Sequence, residues 1–131
     1  MVFSAGQKFE FTFVVDEQLH AGFISLFKDK NPLHISDDFA SEKKFSSKVM
    51  HGNILNGFLS WFVGEGLPSK DVVIQAQTIQ FSKPVYLNDK VTLRAEITEV
   101  HESVKVVMFK FQFTNNNNER VAKGTIQIGM I

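Results

Sequence analysis

Asp29 and His34 lie five residues apart in the run Asp29-Lys30-Asn31-Pro32-Leu33-His34, with Pro32 stiffening the backbone between them. Both can exchange protons: an imidazole titrates near neutrality, and a carboxylate serves as base or as orienter. Seventeen residues after His34 comes His51-Gly52, followed directly by the most apolar helix-like stretch of the chain, Ile54 to Val63. The first N–H groups of a helix have no intrahelical partner and carry roughly half an elementary positive charge. Glycine at position 52 leaves no side chain between such an amide and a ligand. A carboxylate and an imidazole facing a helix start can activate a water beside a polarised carbonyl. Each residue alone has a plainer reading. Asp29 can end a helix, His34 can be a partly buried structural histidine, and His51 is expected to fix the helix start rather than to react. Their joint spacing favours chemistry. Asp29, His34 and His51 could also ligate a metal, but nothing else in the sequence completes a ligand set, so neither metal nor cofactor is expected.

The rest of the chain reads as the scaffold for these two pieces. Phe9, Phe11, Phe13 and Val15 alternate with Glu10, Thr12 and Val14, the pattern of a half-buried strand. Asp16 can cap a helix over roughly Glu17 to Leu26, whose Leu19, Phe23, Leu26 and Phe27 recur at helical spacing. Pro32 disfavours helix at Asn31, which places the Asp29–His34 run on a turn or loop. Ser36 before Asp37, Asp38 and Phe39 predicts a short capped helix, and Lys43 to Lys48 a charged connection. His51 to Gly66 predicts one enclosed helix, apolar on more than one face. Its Gly52, Gly57 and Gly64 suggest close approach of backbone, substrate or a partner strand. After Leu67-Pro68 the period becomes two. Strands are expected over Val72–Phe81, from Val91 to Thr98, across Val107–Phe113 and along Ala122–Met130, with a hairpin tip at Asn115 to Asn118. The fold class is α+β: one domain over residues 1–131, an antiparallel sheet curled around one apolar helix.

Composition narrows the partners. The 131 residues hold fourteen basic and fourteen acidic side chains, and 44% are hydrophobic. Zero net charge argues against nucleic acid or an anionic membrane as the main partner. Without cysteine there is no disulfide framework, thiolate nucleophile or cysteine metal site. No run is long enough to span a membrane, and Met1 to Phe9 lacks the apolar core of a secretion signal, so the cytoplasm is the simplest address.

Asp29-Lys30-Asn31-Pro32-Leu33-His34, Phe39-Ala40, His51-Gly52, Phe81 with Pro84-Val85, and Asn88-Asp89 resemble the MaoC-like, (R)-specific enoyl-CoA hydratases of the hot-dog fold. The resemblance covers about Gly6 to Gly129. It implies reversible addition of water to a trans-2-enoyl thioester, giving the (R)-3-hydroxyacyl thioester, on coenzyme A or acyl carrier protein. By the same resemblance Asp29 and His34 hold the reacting water and the Gly52 amide binds the thioester oxygen. Asn31, His51 and Ser60 are supporting residues, Ser60 on the central helix. The resemblance also implies a homodimer in which two protomers pair their sheets, with the site at their interface. The chain departs from the family where a small or polar pair usually precedes the aspartate: Phe27 and Lys28 stand here. Lys48 replaces a proline often found shortly before His-Gly.

Two other functions fit the same elements. A thioesterase on this fold needs a carboxylate on or near the central helix, and Glu65, the only acid within that helix, lies near its far end. A non-catalytic acyl-thioester-binding or partner subunit would account for Phe27 and Lys28 but not for the retention of Asp29 with His34. Lys43, Lys44, Lys48 and Lys83 could meet coenzyme A phosphates or an acidic carrier, though solvated surface lysines are the plainer reading.

Overall fold

The computed structural model describes residues 2–131; Met1 lies outside the described residues. Five strands, β1 (Lys8–Val14), β2 (Val72–Phe81), β3 (Lys90–His101), β4 (Val106–Thr114) and β5 (Arg120–Met130), form one antiparallel sheet in the order β1-β3-β4-β5-β2. β2 therefore pairs with β5 at the far edge from β1, and not with the strand that follows it in sequence. The alternation in β3 is strict: Val91, Leu93, Ala95 and Ile97 are buried, while their neighbours face out. The expected tip works as its asparagines require. Asn115 Oδ1 accepts from the Asn117 and Glu119 amides, and Asn118 takes a left-handed backbone, φ 59°.

The helices fill the other face. They are α1 (Glu17–Phe27), α2 (Pro32–Ile35), α3 (Asp37–Glu42) and α4 (Asn53–Trp61). Asp16 and Ser36 cap α1 and α3 as expected, through Asp16 Oδ1 to Leu19 N and Ser36 Oγ to Phe39 N. α4 drives Ile54, Leu55, Phe58 and Leu59 into the concave side of the sheet. Contact with β1 is aromatic: Phe13 stacks on Phe58 of α4 at 4.3 Å, and Phe9 meets Phe62, just beyond that helix, edge-on at 5.6 Å. A sheet curled around an apolar helix is what the pattern predicted, and the hot-dog arrangement is what the resemblance implied.

Four expectations change. The proline-bearing run is not simply a loop, because Pro32 opens α2 and His34 sits within it. Proline suits the first helical position, where its missing N–H would have no partner anyway. α1 leaves Leu19, Leu26 and Phe27 exposed and buries His20 instead. The central helix begins at Asn53 and loosens into a π-helical turn over Phe62–Gly66. It is not fully enclosed either: Trp61 is exposed, as are Gly57, Ser60 and Gly64. Within the chain, close approach accounts for Gly52, while a Cβ at Gly57 or Gly64 would meet open space.

Candidate active site

α2 is stitched to the segment before α4 from both sides. Val49 N donates to the Leu33 carbonyl at 2.9 Å, and the His34 ring donates from Nδ1 to the Val49 carbonyl at 2.8 Å. Val49 bridges Tyr86, and Met50 N donates to the Val85 carbonyl, so the strap is tied to the loop after β2. Because a carbonyl can only accept, the hydrogen of a neutral His34 is on Nδ1. Its Nε2 keeps a lone pair. That lone pair faces Asp29, with Nε2 3.8 Å from Oδ2. The separation is too long for a direct hydrogen bond, yet one water can reach both atoms at about 2.8 Å.

Asp29 is held by its neighbours. Its Oδ1 accepts from Asn31 N at 3.2 Å, leaving Oδ2 toward the imidazole. Asn31 in turn caps α2, its Oδ1 accepting from Leu33 N at 3.0 Å. Asn31 thus supports both groups, the carboxylate through its amide and the His34 helix through its side chain. His51 grips the other end: its Nε2–H donates to the Asp29 carbonyl at 3.0 Å. The His51 ring stacks on His34 at 3.9 Å and on Phe23 at 4.4 Å. Burial, the largest influence, holds the His51 pKa below its ordinary value near 6.5; the hydrogen bond to Asp29 opposes this and the neighbouring His34 reinforces it. Nδ1 of His51 is buried with no hydrogen-bond partner. A neutral imidazole, protonated on Nε2, is the form this environment selects.

Gly52 lies at the start of α4, and among the described residues its N–H donates to no acceptor. A Cβ built on it would come within 2.9 Å of Phe81 Cε1, so glycine here keeps the helix start and the Phe81 ring together. Gly52 and His34 open onto one cavity of about 440 Å³, whose walls include Asn53, Leu55, Phe81 and Lys83. Lys83 is tied to Glu119 by an ion pair. Lys43 lies over the Phe39 ring at 5.4 Å, away from that cavity. A larger concavity, about 980 Å³, lies across the polar face of the sheet; it contains none of these groups and is bridged by the Arg94–Glu10 and Lys110–Glu96 ion pairs.

The structure thus joins Asp29, Asn31, His34, His51 and Gly52 around one corner of the fold. Ser60 stands apart on the exposed face of α4, and among the described residues its hydroxyl makes no hydrogen bond. Phe27 packs on Phe23 at 4.8 Å and is otherwise solvent-exposed; it is not part of the cavity wall. Asp29, His34 and His51 offer ligand atoms within 4.8 Å of one another. In the tautomers fixed by the carbonyl contacts, however, only Asp29 Oδ2 and His34 Nε2 present free lone pairs to that space, since the near nitrogen of His51 is a donor. The set does not suit a tetrahedral ion without breaking the His51–Asp29 bond. Glu65 pairs with Lys70 at 2.8 Å, which holds its pKa below the usual carboxylate value. Sequence reasoning missed His20, which is 4% exposed and donates from Nε2 to the His34 carbonyl at 2.8 Å.

A family model described as MaoC like domain matches residues 2–119. The (R)-specific enoyl-CoA hydratase of Aeromonas caviae is 35% identical over 82 residues, covering 63% of this chain and 61% of that enzyme. The 3-hydroxybutyryl-CoA dehydratase of Methylorubrum extorquens is 34% identical over 79 residues, covering 60% of this chain and 50% of that enzyme. The aligned segments therefore span less than two thirds of either relative. Among solved structures, an (R)-hydratase from A. caviae involved in PHA biosynthesis superposes with a TM-score of 0.90 at 26% identity, over 98% of each chain.

Proposed function

The chain belongs to the MaoC-like domain family, and on that footing we propose that it is a hydro-lyase. It adds water to trans-2-enoyl thioesters to give (R)-3-hydroxyacyl thioesters, or runs the step in reverse. The observation that carries this reading is the pairing of two acceptors, Asp29 Oδ2 and His34 Nε2, 3.8 Å apart beside a cavity that also holds the free Gly52 amide. A water between the two acceptors points both hydrogens at the protein, which leaves an oxygen lone pair for the β-carbon. As the C–O bond forms, negative charge moves to the thioester oxygen, and the Gly52 N–H stabilises it there. A preorganised donor of this kind is worth about 3–4 kcal/mol of barrier. The pair removes one proton from the water and returns one to the α-carbon, so it ends the turnover in its starting protonation state. We assign Asp29 as principal base and His34 as its partner on the same water, with Asn31 and His51 holding them.

The substrate is a coenzyme A or acyl carrier protein thioester, and the address the cytoplasm; no helix among the described residues is long and apolar enough to cross a membrane. The domain is taken to be residues 1–131. We further propose a homodimer. Gly57, Ser60, Trp61 and Gly64 present an exposed stripe on and just beyond α4, beside the edge strand β2 with its exposed Val73 and Phe81. A second copy would cover both, and Ser60 takes its supporting role in that assembly. The thioesterase alternative is disfavoured by the solvent-exposed Glu65–Lys70 pair, which leaves the central helix without a carboxylate aimed at the cavity.

Purified protein mixed with crotonyl-CoA is expected to bleach the conjugated-thioester absorbance without releasing thiol. Thiol release without hydration would favour the thioesterase. Silence in both assays, on CoA and carrier substrates of several chain lengths, would favour a binding subunit.

A further inference from the structure

We propose that His20 is a positioning residue for this reaction, a second imidazole clamp that fixes His34 through its backbone. The inference rests on the hydratase reading of the site. His51 holds the Asp29 carbonyl through Nε2–H at 3.0 Å, and His20 holds the His34 carbonyl through Nε2–H at 2.8 Å. Each of the two residues assigned to the water is therefore gripped at its own backbone by a different, almost wholly buried histidine. The two clamps come from different elements, His51 from just before α4 and His20 from the first turn of α1, and their rings lie 5.9 Å apart.

The arrangement matters because α2 is only four residues long. A helix that short has almost no cooperative stability of its own. Its orientation depends on Asn31 at one end, the Val49 strap at its side and His20 on the carbonyl of His34 itself. Glu17, one turn earlier on α1, lies on the solvent side of the ring, its Oε1 3.7 Å from Nδ1 of His20 and beyond hydrogen-bond reach. His20 is also the only residue of α1 that is fully buried, while Leu19, Leu26 and Phe27 remain exposed. Phe23 packs on the core and on the His51 ring, but the most deeply buried contact that α1 makes is the polar one from His20 to the site. Releasing the His34 carbonyl would let α2 tilt about the Val49 contact and move Nε2 relative to Asp29. A displacement near 1 Å at a reacting group costs on the order of 100-fold in rate.

The test compares His20→Leu, His20→Gln and His20→Asn in the full chain. The glutamine amide can reach where Nε2 sits; the asparagine amide falls short of it; leucine removes the donor. His20→Leu and His20→Asn are expected to lower kcat for crotonyl-CoA hydration by about 10- to 100-fold with KM within about twofold, and His20→Gln to recover most of the loss. If the leucine variant does not fold, the asparagine and glutamine variants carry the comparison. Wild-type kcat in a folded His20→Asn, or a His20→Gln no better than His20→Asn, would overturn the clamp. A readout independent of turnover separates this from the reading beneath it: the imidazole NMR signals of His34 should shift in His20→Asn and return in His20→Gln. If they stay unchanged, the clamp is wrong. If they shift as expected but the wild type hydrates no enoyl thioester, the clamp stands and the hydratase reading falls.

Discussion

At the scale of single residues, tautomers decide what the site can do. The Val49 carbonyl commits Nδ1 of His34 to donation, so Nε2 is available as an acceptor for a water proton. His51 is committed in the opposite sense, donating from Nε2 and leaving Nδ1 buried without a partner. A group whose folded pKa is depressed by burial, as that of His51 is, binds its proton more readily in the unfolded chain. The native state therefore loses stability as pH falls below about 6.5, the unfolded value, and the loss continues down to the lower folded value. His51→Gln keeps a donor for the Asp29 carbonyl but cannot ionise. Urea midpoints measured from pH 7.5 to 5 should fall more steeply for the wild type than for His51→Gln; parallel curves would mean that His51 is not held neutral. Of these relations, the sequence pointed to Asp29, Asn31, His34, His51 and Gly52 but not to His20, and it gave no sign of how the histidines are protonated. Tautomers follow from two backbone carbonyls, at Val49 and Asp29, and backbone groups leave no mark in residue identity.

At the scale of elements, periodicity located the strands and the central helix but mistook the face that α1 buries. Leu19, Phe23, Leu26 and Phe27 mark an apolar stripe, and a stripe says only that burial would be favourable, not that a neighbour exists to provide it. Here three of the four are exposed, and the buried contact is a histidine on a carbonyl, which apolar spacing cannot register. Pro32 misled in a different way, since Asn-Pro followed by apolar residues also signals a capped helix start. The end of α1 shows why the usual small pair before the aspartate has a physical basis. Lys28 is the C-cap and takes a left-handed backbone, φ 65°, with its N–H donating to the Ile24 carbonyl. Glycine adopts that conformation without the Cβ penalty, offset in part by greater freedom in the unfolded chain. Lys28→Gly should therefore raise stability by about 0.5–1 kcal/mol in thermal or urea unfolding. A loss of stability would show that the lysine side chain contributes more than its backbone strain costs.

At the scale of the whole molecule, the sheet serves as a frame that brings two distant segments, α2 and the start of α4, to one corner. The fold class was legible because both periods are long and regular. The exposed edge β2 and the stripe of α4 were not, because a single chain's pattern cannot distinguish a surface facing water from one facing a second copy. Light scattering at micromolar concentration is expected to give the mass of a dimer; a monomer would remove the support for the proposed interface. The central claim, that Asp29 and His34 act together on one water, is tested most directly by a double-mutant cycle on crotonyl-CoA hydration using Asp29→Asn, His34→Ala and the pair, each checked for native fold. Each single change should lower kcat by about 10²- to 10⁴-fold, and the double variant should be little worse than the poorer single, as groups that work as a unit are strongly non-additive. A folded single variant with wild-type turnover, or losses that multiply fully in the double, would contradict the shared water.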